Sequence, residues 1–119
     1  MPFTSDTIQN IWNKATIVEG FDPNIFRKDP CGAWIVRNKY GKTDNPYGWQ
    51  IDHVYPKSMG GDEDIRNLRA MHWRNNESKG DDYPSYIARM TSDGNKNVEC
   101  YKSCTINKVL RDYISNTYQ

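Results

Sequence analysis

Tyr47-Gly48-Trp49-Gln50-Ile51-Asp52-His53-Val54-Tyr55-Pro56, then Gly60-Gly61, then Asn67-Leu68, then Asn75-Asn76-Glu77-Ser78-Lys79-Gly80 form one ordered set in the middle of the chain. Trp49 to Tyr55 reads as a strand stopped by Pro56, because proline cannot donate to a ladder. Lys57 to Arg66 holds two glycines and three consecutive acids, Asp62-Glu63-Asp64, and reads as a loop. Leu68 to Trp73 is short and semi-apolar. Arg74 to Gly80 is polar and rich in helix formers, with glycine where a helix ends. The order is strand, loop, short strand, helix.

The same set carries chemistry. Asp52 is a hard oxygen donor beside an imidazole, Asn76 offers an amide oxygen from the short helix, and Asn67 sits just before the connecting strand. One carboxylate and one amide oxygen are too few for a closed cage. They are a typical protein share for Mg²⁺, which keeps waters and takes up phosphate oxygens. A neutral histidine beside such a site can take a proton from water, and a side-chain oxygen can orient its ring. A metal with an oriented base is the minimum equipment for phosphodiester hydrolysis. Neighbours on a regular strand point to opposite faces. Asp52 and His53 are therefore expected where the strand frays or bends, with Pro56 close by.

Over about residues 47–80 these residues and spacings resemble the HNH endonuclease family. Thirteen residues separate His53 from Asn67, and eight separate Asn67 from Asn76. The resemblance implies an α+β domain with a ββα-metal core, two short antiparallel strands and a helix. It implies His53 as general base and Asp52 and Asn76 as ligands of one divalent cation, Mg²⁺ first and Mn²⁺ second. Asn67 would hold the His53 ring and brace the loop, and Lys57, Arg66, Arg69 and Lys79 would be candidates for holding the phosphate backbone. Many members carry two Cys pairs around a structural zinc. Here His72 and Asn75 stand where the second pair often lies and Cys31 is the only cysteine upstream, so a structural zinc is not expected.

Outward from this core, Ser5 and Asp6 suit a helix start, and Ile8, Ile11, Trp12, Ala15 and Val18 follow at helical spacing. A helix over about 6–19, ending before Gly20, is predicted. Ala33 to Arg37 reads as a short strand, Pro84 to Met90 as a short helix, and Thr91 to Asn97 as a turn region. Ile106, Val109, Leu110, Tyr113 and Ile114 predict a helix over about 105–116. The two terminal helices flank the core in a single domain over 1–119.

The chain has 119 residues, 16 Lys+Arg and 15 Asp+Glu, for a net charge of +1. That balance does not advertise nucleic-acid binding. Hydrophobic residues make up 36%, so the core is lean, and 4 Trp, 8 Tyr and 3 Phe supply the missing burial. No stretch approaches a membrane span and no secretory signal is visible, which predicts a cytoplasmic protein. Three cysteines with no framework spacing argue against a disulfide scaffold. Cys31, Cys100, Cys104 and His72 lack zinc-finger regularity and read as ordinary thiols and an ordinary histidine. Gly41-Lys42-Thr43 lacks the upstream glycine of a phosphate loop. The function read from the sequence is metal-dependent hydrolysis of nucleic acid, with DNA as the expected substrate. The alternative is a non-cleaving nucleic-acid-binding or regulatory module. An inhibitor or partner protein and a monomeric or homodimeric state both stay open.

Overall fold

In a computed structural model that describes residues 2–119, the chain forms three helices and three separate antiparallel strand pairs. Helix α1 spans Ser5–Trp12, α2 Trp73–Lys79 and α3 Lys108–Tyr118. Strands β1 (Phe26–Lys28) and β2 (Trp34–Val36) pair, as do β3 (Trp49–His53) with β4 (Leu68–His72) and β5 (Ser85–Asp93) with β6 (Lys96–Thr105). The β3–β4–α2 succession matches the order read from the central segment. No helix of the described residues is long and apolar enough to cross a membrane.

Several expectations need correction. The first helix stops at Trp12 rather than continuing to about 19. Asn13 caps it, and Thr16 is then drawn into a bridge with Lys28. Its N-cap is Thr4, whose hydroxyl accepts from the Thr7 amide. The last helix starts at Lys108 instead of about 105, capped by Asn107 through the Leu110 amide at 2.9 Å. Where a helix over Pro84 to Met90 was expected, Ser85 to Met90 is strand. Tyr86, Ala88 and Met90 are buried at alternate positions, a period of two that the adjacent Ile87 obscures in the sequence. Thr91 to Asn97 holds a two-residue hairpin turn at Gly94-Asn95, with both flanks in strand. Strands β1 and β6 were not foreseen. One is three residues long, and the other is mostly exposed, with its few apolar residues following no alternation.

The β3–β4 ladder divides the core. Trp49, Ile51, Leu68 and Ala70 pack with Ile35 against Ile11 and Trp12 of α1. Val54 and Met71 meet Tyr86, Ile106 and Ile114 in a second cluster. Directly paired residues share a face. Ile51 with Ala70 and His53 with Leu68 therefore face α1, while Gln50 with Met71 and Asp52 with Arg69 face α2 and β5.

Buried Asp29, after β1, ties these pieces together. Its Oδ1 accepts from the amides of Cys31 and Ala33, both at 2.9 Å. Its Oδ2 accepts from the His72 amide and Asn75 Nδ2, both at 3.0 Å. Burial pushes the Asp29 carboxyl upward, and the four hydrogen bonds oppose that shift. Cys31, His72 and Asn75 thus converge through hydrogen bonds to one carboxylate. Burial, reinforced by Asp29, raises the Cys31 thiol to about 12, so it behaves as an inert small side chain. Asn75 also spans to β5, accepting from the amides of Arg89 and Met90 and donating to the Met90 carbonyl.

His72 is the N-cap of α2. Its Nδ1 accepts from the Arg74 amide at 3.1 Å, and its Nε2 lies 2.8 Å from the Pro46 carbonyl, which fixes the neutral Nε2–H tautomer. Burial holds its pKa below the ordinary value of 6.5. A depressed histidine contributes stability that is fully present above the unfolded pKa and is lost as pH falls through the folded one. Stability to denaturant is therefore expected to fall on acidification below about pH 6.5. His72→Gln should flatten that dependence while costing about 1 kcal/mol of cap energy at neutral pH. An equally steep profile in the variant would contradict the assignment.

Candidate functional site

Asp52 and His53 are the last two residues of β3, and Asn76 lies in the middle of α2. The three line one open pocket of about 240 Å³ with Ile51, Pro56, Lys57, Gly80 and Asp81. The strand does not fray there. His53 still pairs with Leu68, and the Val54 amide donates to the Asn67 carbonyl at 2.8 Å. Asp52 and His53 keep the alternation of a regular strand. They reach the same pocket because it opens at the strand end.

Buried Asp52 meets two cations. Its Oδ2 is 2.9 Å from Arg69 Nε, and its Oδ1 is 3.2 Å from Lys79 Nζ. Lys79 is fully buried and also donates to the His53 carbonyl at 3.1 Å. Burial pulls its ammonium pKa down, and Asp52 opposes the fall. The expectation that Lys79 holds a phosphate backbone is therefore corrected. Its stem crosses the core and its head is spent on β3.

His53 is partly buried on the α1 side, its ring 6.3 Å from that of Phe3. Its Nε2 lies 2.5 Å from Glu63 Oε2. The expectation that Asn67 holds this ring is also corrected. Asn67 is fully buried and its polar atoms go to main chain. Its Oδ1 accepts from the Tyr55 amide at 2.8 Å, and its Nδ2 donates to the carbonyls of Tyr55 and Asp62, each at 3.1 Å. These bonds join Asn67 to the main chain of Tyr55 and Asp62 across the connecting loop. The two glycines serve the same turn. Gly60 has φ of +107°, and a Cβ on Gly61 would lie 1.8 Å from the Tyr55 carbonyl oxygen.

Glu63 was missed in the sequence because it sits inside an acidic run that reads as solvated loop. Arg69 was read only as a phosphate contact, yet its register opposite Asp52 makes it that residue's partner. Of the remaining basic candidates, Lys57 is exposed at the pocket. Arg66 pairs with Asp64 at 3.1 Å, and it stacks over Tyr113 away from the pocket.

The donor set fits a hard divalent cation in type. Each Asp52 oxygen uses one lone pair on a cation and keeps another. Asn76 donates through Nδ2 to Gln50 Oε1 at 2.9 Å, and its Oδ1 has no protein partner among the described residues. No group of three or more His, Cys, Asp and Glu stands together there, so the protein's share of any such site is small. Arg69 and Lys79 act against a cation at Asp52.

Neither a search of curated proteins nor one of solved structures returns a match. A family comparison does, over the segment that contains β3, β4, α2 and the pocket. Residues 42–85 match the HNH endonuclease family, and it is to that family's nuclease domains that this part of the chain is similar.

Proposed function

We propose that the chain is a metal-dependent endonuclease that hydrolyses phosphodiester bonds of nucleic acid, with DNA as substrate. The observation that carries this reading is the shared pocket of Asp52, His53 and Asn76 inside the segment that matches the HNH endonucleases. In this reading Asp52 and Asn76 hold one divalent cation, Mg²⁺ or Mn²⁺. Such a cation supplies charge stabilisation at the phosphate and the leaving oxygen.

The chain's own residues do the rest. His53 Nε2 is engaged by Glu63, so Nδ1 is the nitrogen that takes the proton from the attacking water. Glu63 fixes the tautomer and the ring plane, the positioning role that a second-sphere carboxylate commonly fills. Asn67 holds the Tyr55–Asn67 loop that carries Glu63 past the ring. Lys57, exposed at the pocket rim, is the phosphate contact at this site.

One observation favours the alternative of a non-cleaving nucleic-acid-binding module: both Asp52 oxygens already face a cation. Incubation with supercoiled plasmid separates the two. Conversion to open circle in Mg²⁺ or Mn²⁺, abolished by EDTA, is the expected result. Salt-sensitive gel-shift binding with no conversion under any divalent ion would overturn the nuclease reading.

A further inference from the structure

A second pocket, of about 340 Å³, lies among the Lys14–Thr16 stretch, β1, β4 and the start of α3. Four cationic side chains line it, Lys14, Lys28, Arg66 and Arg69, over an apolar floor that includes Val54 and Leu68, and no carboxylate lines it. In a chain of net charge +1 that concentration is a local feature rather than a reflection of composition.

The acids nearby do not cancel it. Arg66 has Asp64 as partner and Arg69 has Asp52. Lys14 Nζ donates only to the carbonyls of Ile65 and Leu68, each at 2.5 Å, and Lys28 Nζ sits 4.8 Å over the Trp34 ring. Neither lysine has a carboxylate at salt-bridge distance among the described residues, and Asp64, already paired with Arg66, attracts Lys14 only at longer range. Burial lowers the Lys14 pKa, the cost of holding a cation in this place.

Arg69 supplies the second sign. Its Nε serves Asp52, and its buried Nη2 has no hydrogen-bond partner. The same guanidinium packs over Tyr86, its central carbon 5.5 Å from the ring centroid. A guanidinium with an unpartnered N–H beside two lysines is suited to the oxygens of a phosphate, which is anionic at neutral pH. The volume is at the small end of ligand pockets.

We infer that this pocket, lined by Lys14, Lys28, Arg66 and Arg69, is a binding site for a phosphate group, separate from the pocket of Asp52, His53 and Asn76. The phosphate has two possible sources, a free phosphate ion or monoester and the backbone of a nucleic acid. Titration calorimetry in EDTA tests the site without any hydrolysis, first with inorganic phosphate and then with an oligonucleotide lacking terminal phosphates.

Saturable binding of inorganic phosphate at one site per chain, weakened at least about tenfold by Lys28→Gln, is expected for a free phosphate. Binding of the oligonucleotide alone, weakened likewise by Lys28→Gln, assigns the site to backbone phosphate. In either case the Arg69 Nε–H resonance of the unmodified protein must move with occupancy. Phosphate that acts no differently from chloride at equal ionic strength, together with oligonucleotide binding indifferent to Lys28→Gln, would overturn the inference. A stationary Arg69 resonance at saturation would do the same.

Discussion

Replacing His53 with alanine is expected to lower the rate of plasmid nicking by about 10²–10⁴-fold, the range that a positioned general base contributes. The ring is half-buried at the end of β3, bonded to Glu63 and tilted against Phe3, and it belongs to neither core cluster, so its removal leaves the ladder and both clusters in place. The variant should melt close to the parent and still bind nucleic acid. Glu63→Ala is expected to lose less, about 10–100-fold, because the carboxylate acts only through the imidazole. Full nicking by His53→Ala would remove this residue from the reaction, whatever happened to the rest of the proposal.

The largest effect on stability is expected at Asp29. Asp29→Ala strands four donors, of which the Ala33 and His72 amides are buried. A buried unsatisfied donor costs about 1–3 kcal/mol, so a loss of roughly 3–5 kcal/mol is expected. For a domain of this size that is a fall of roughly 10–25 °C in Tm, measured by circular dichroism. Asp29→Asn should recover little, since an amide nitrogen would then oppose two N–H groups at one end. A melting curve unchanged in Asp29→Ala would show that the junction contributes nothing.

How much of this was legible depends on which residues advertise themselves locally. The strand read over Trp49 to Tyr55, which ends at His53, and the helix read over Arg74 to Gly80 were legible because a stretch stopped by proline and a polar run before glycine have a direct backbone meaning. The candidate site was readable as a set of residue types at fixed spacing, and the structure gathers Asp52, His53 and Asn76 around one pocket.

What stayed hidden was partnership. Nothing local separates Glu63 from Asp62 and Asp64; only the return of the loop past β3 selects it. Lys79 looks like any surface lysine of a polar helix until the helix is laid against Asp52. Strand β6 was invisible for a different reason. Most of its residues are exposed, and its backbone pairing with β5 owes little to apolar alternation. Cys31, His72 and Asn75 stand out in the sequence only as places where a zinc site is missing, while Asp29, whose carboxylate joins them, gave no sign of its role.

The strand pairing also bears on how the molecule comes apart. Each of the three sheets joins strands adjacent in sequence, so none requires a distant segment to form first. The far-apart links are side-chain docking contacts. Asn97 holds the Trp34 main chain, Trp34 reaches the Gly94 carbonyl, and Thr91 and Ser92 bond to the Cys31 and Gly32 carbonyls. Ladders of low contact order assemble early, and a contact made after the barrier shows its loss in the unfolding arm of a chevron plot. Weakening these clasps should therefore shorten the lifetime of the folded chain while leaving the speed of folding nearly unchanged.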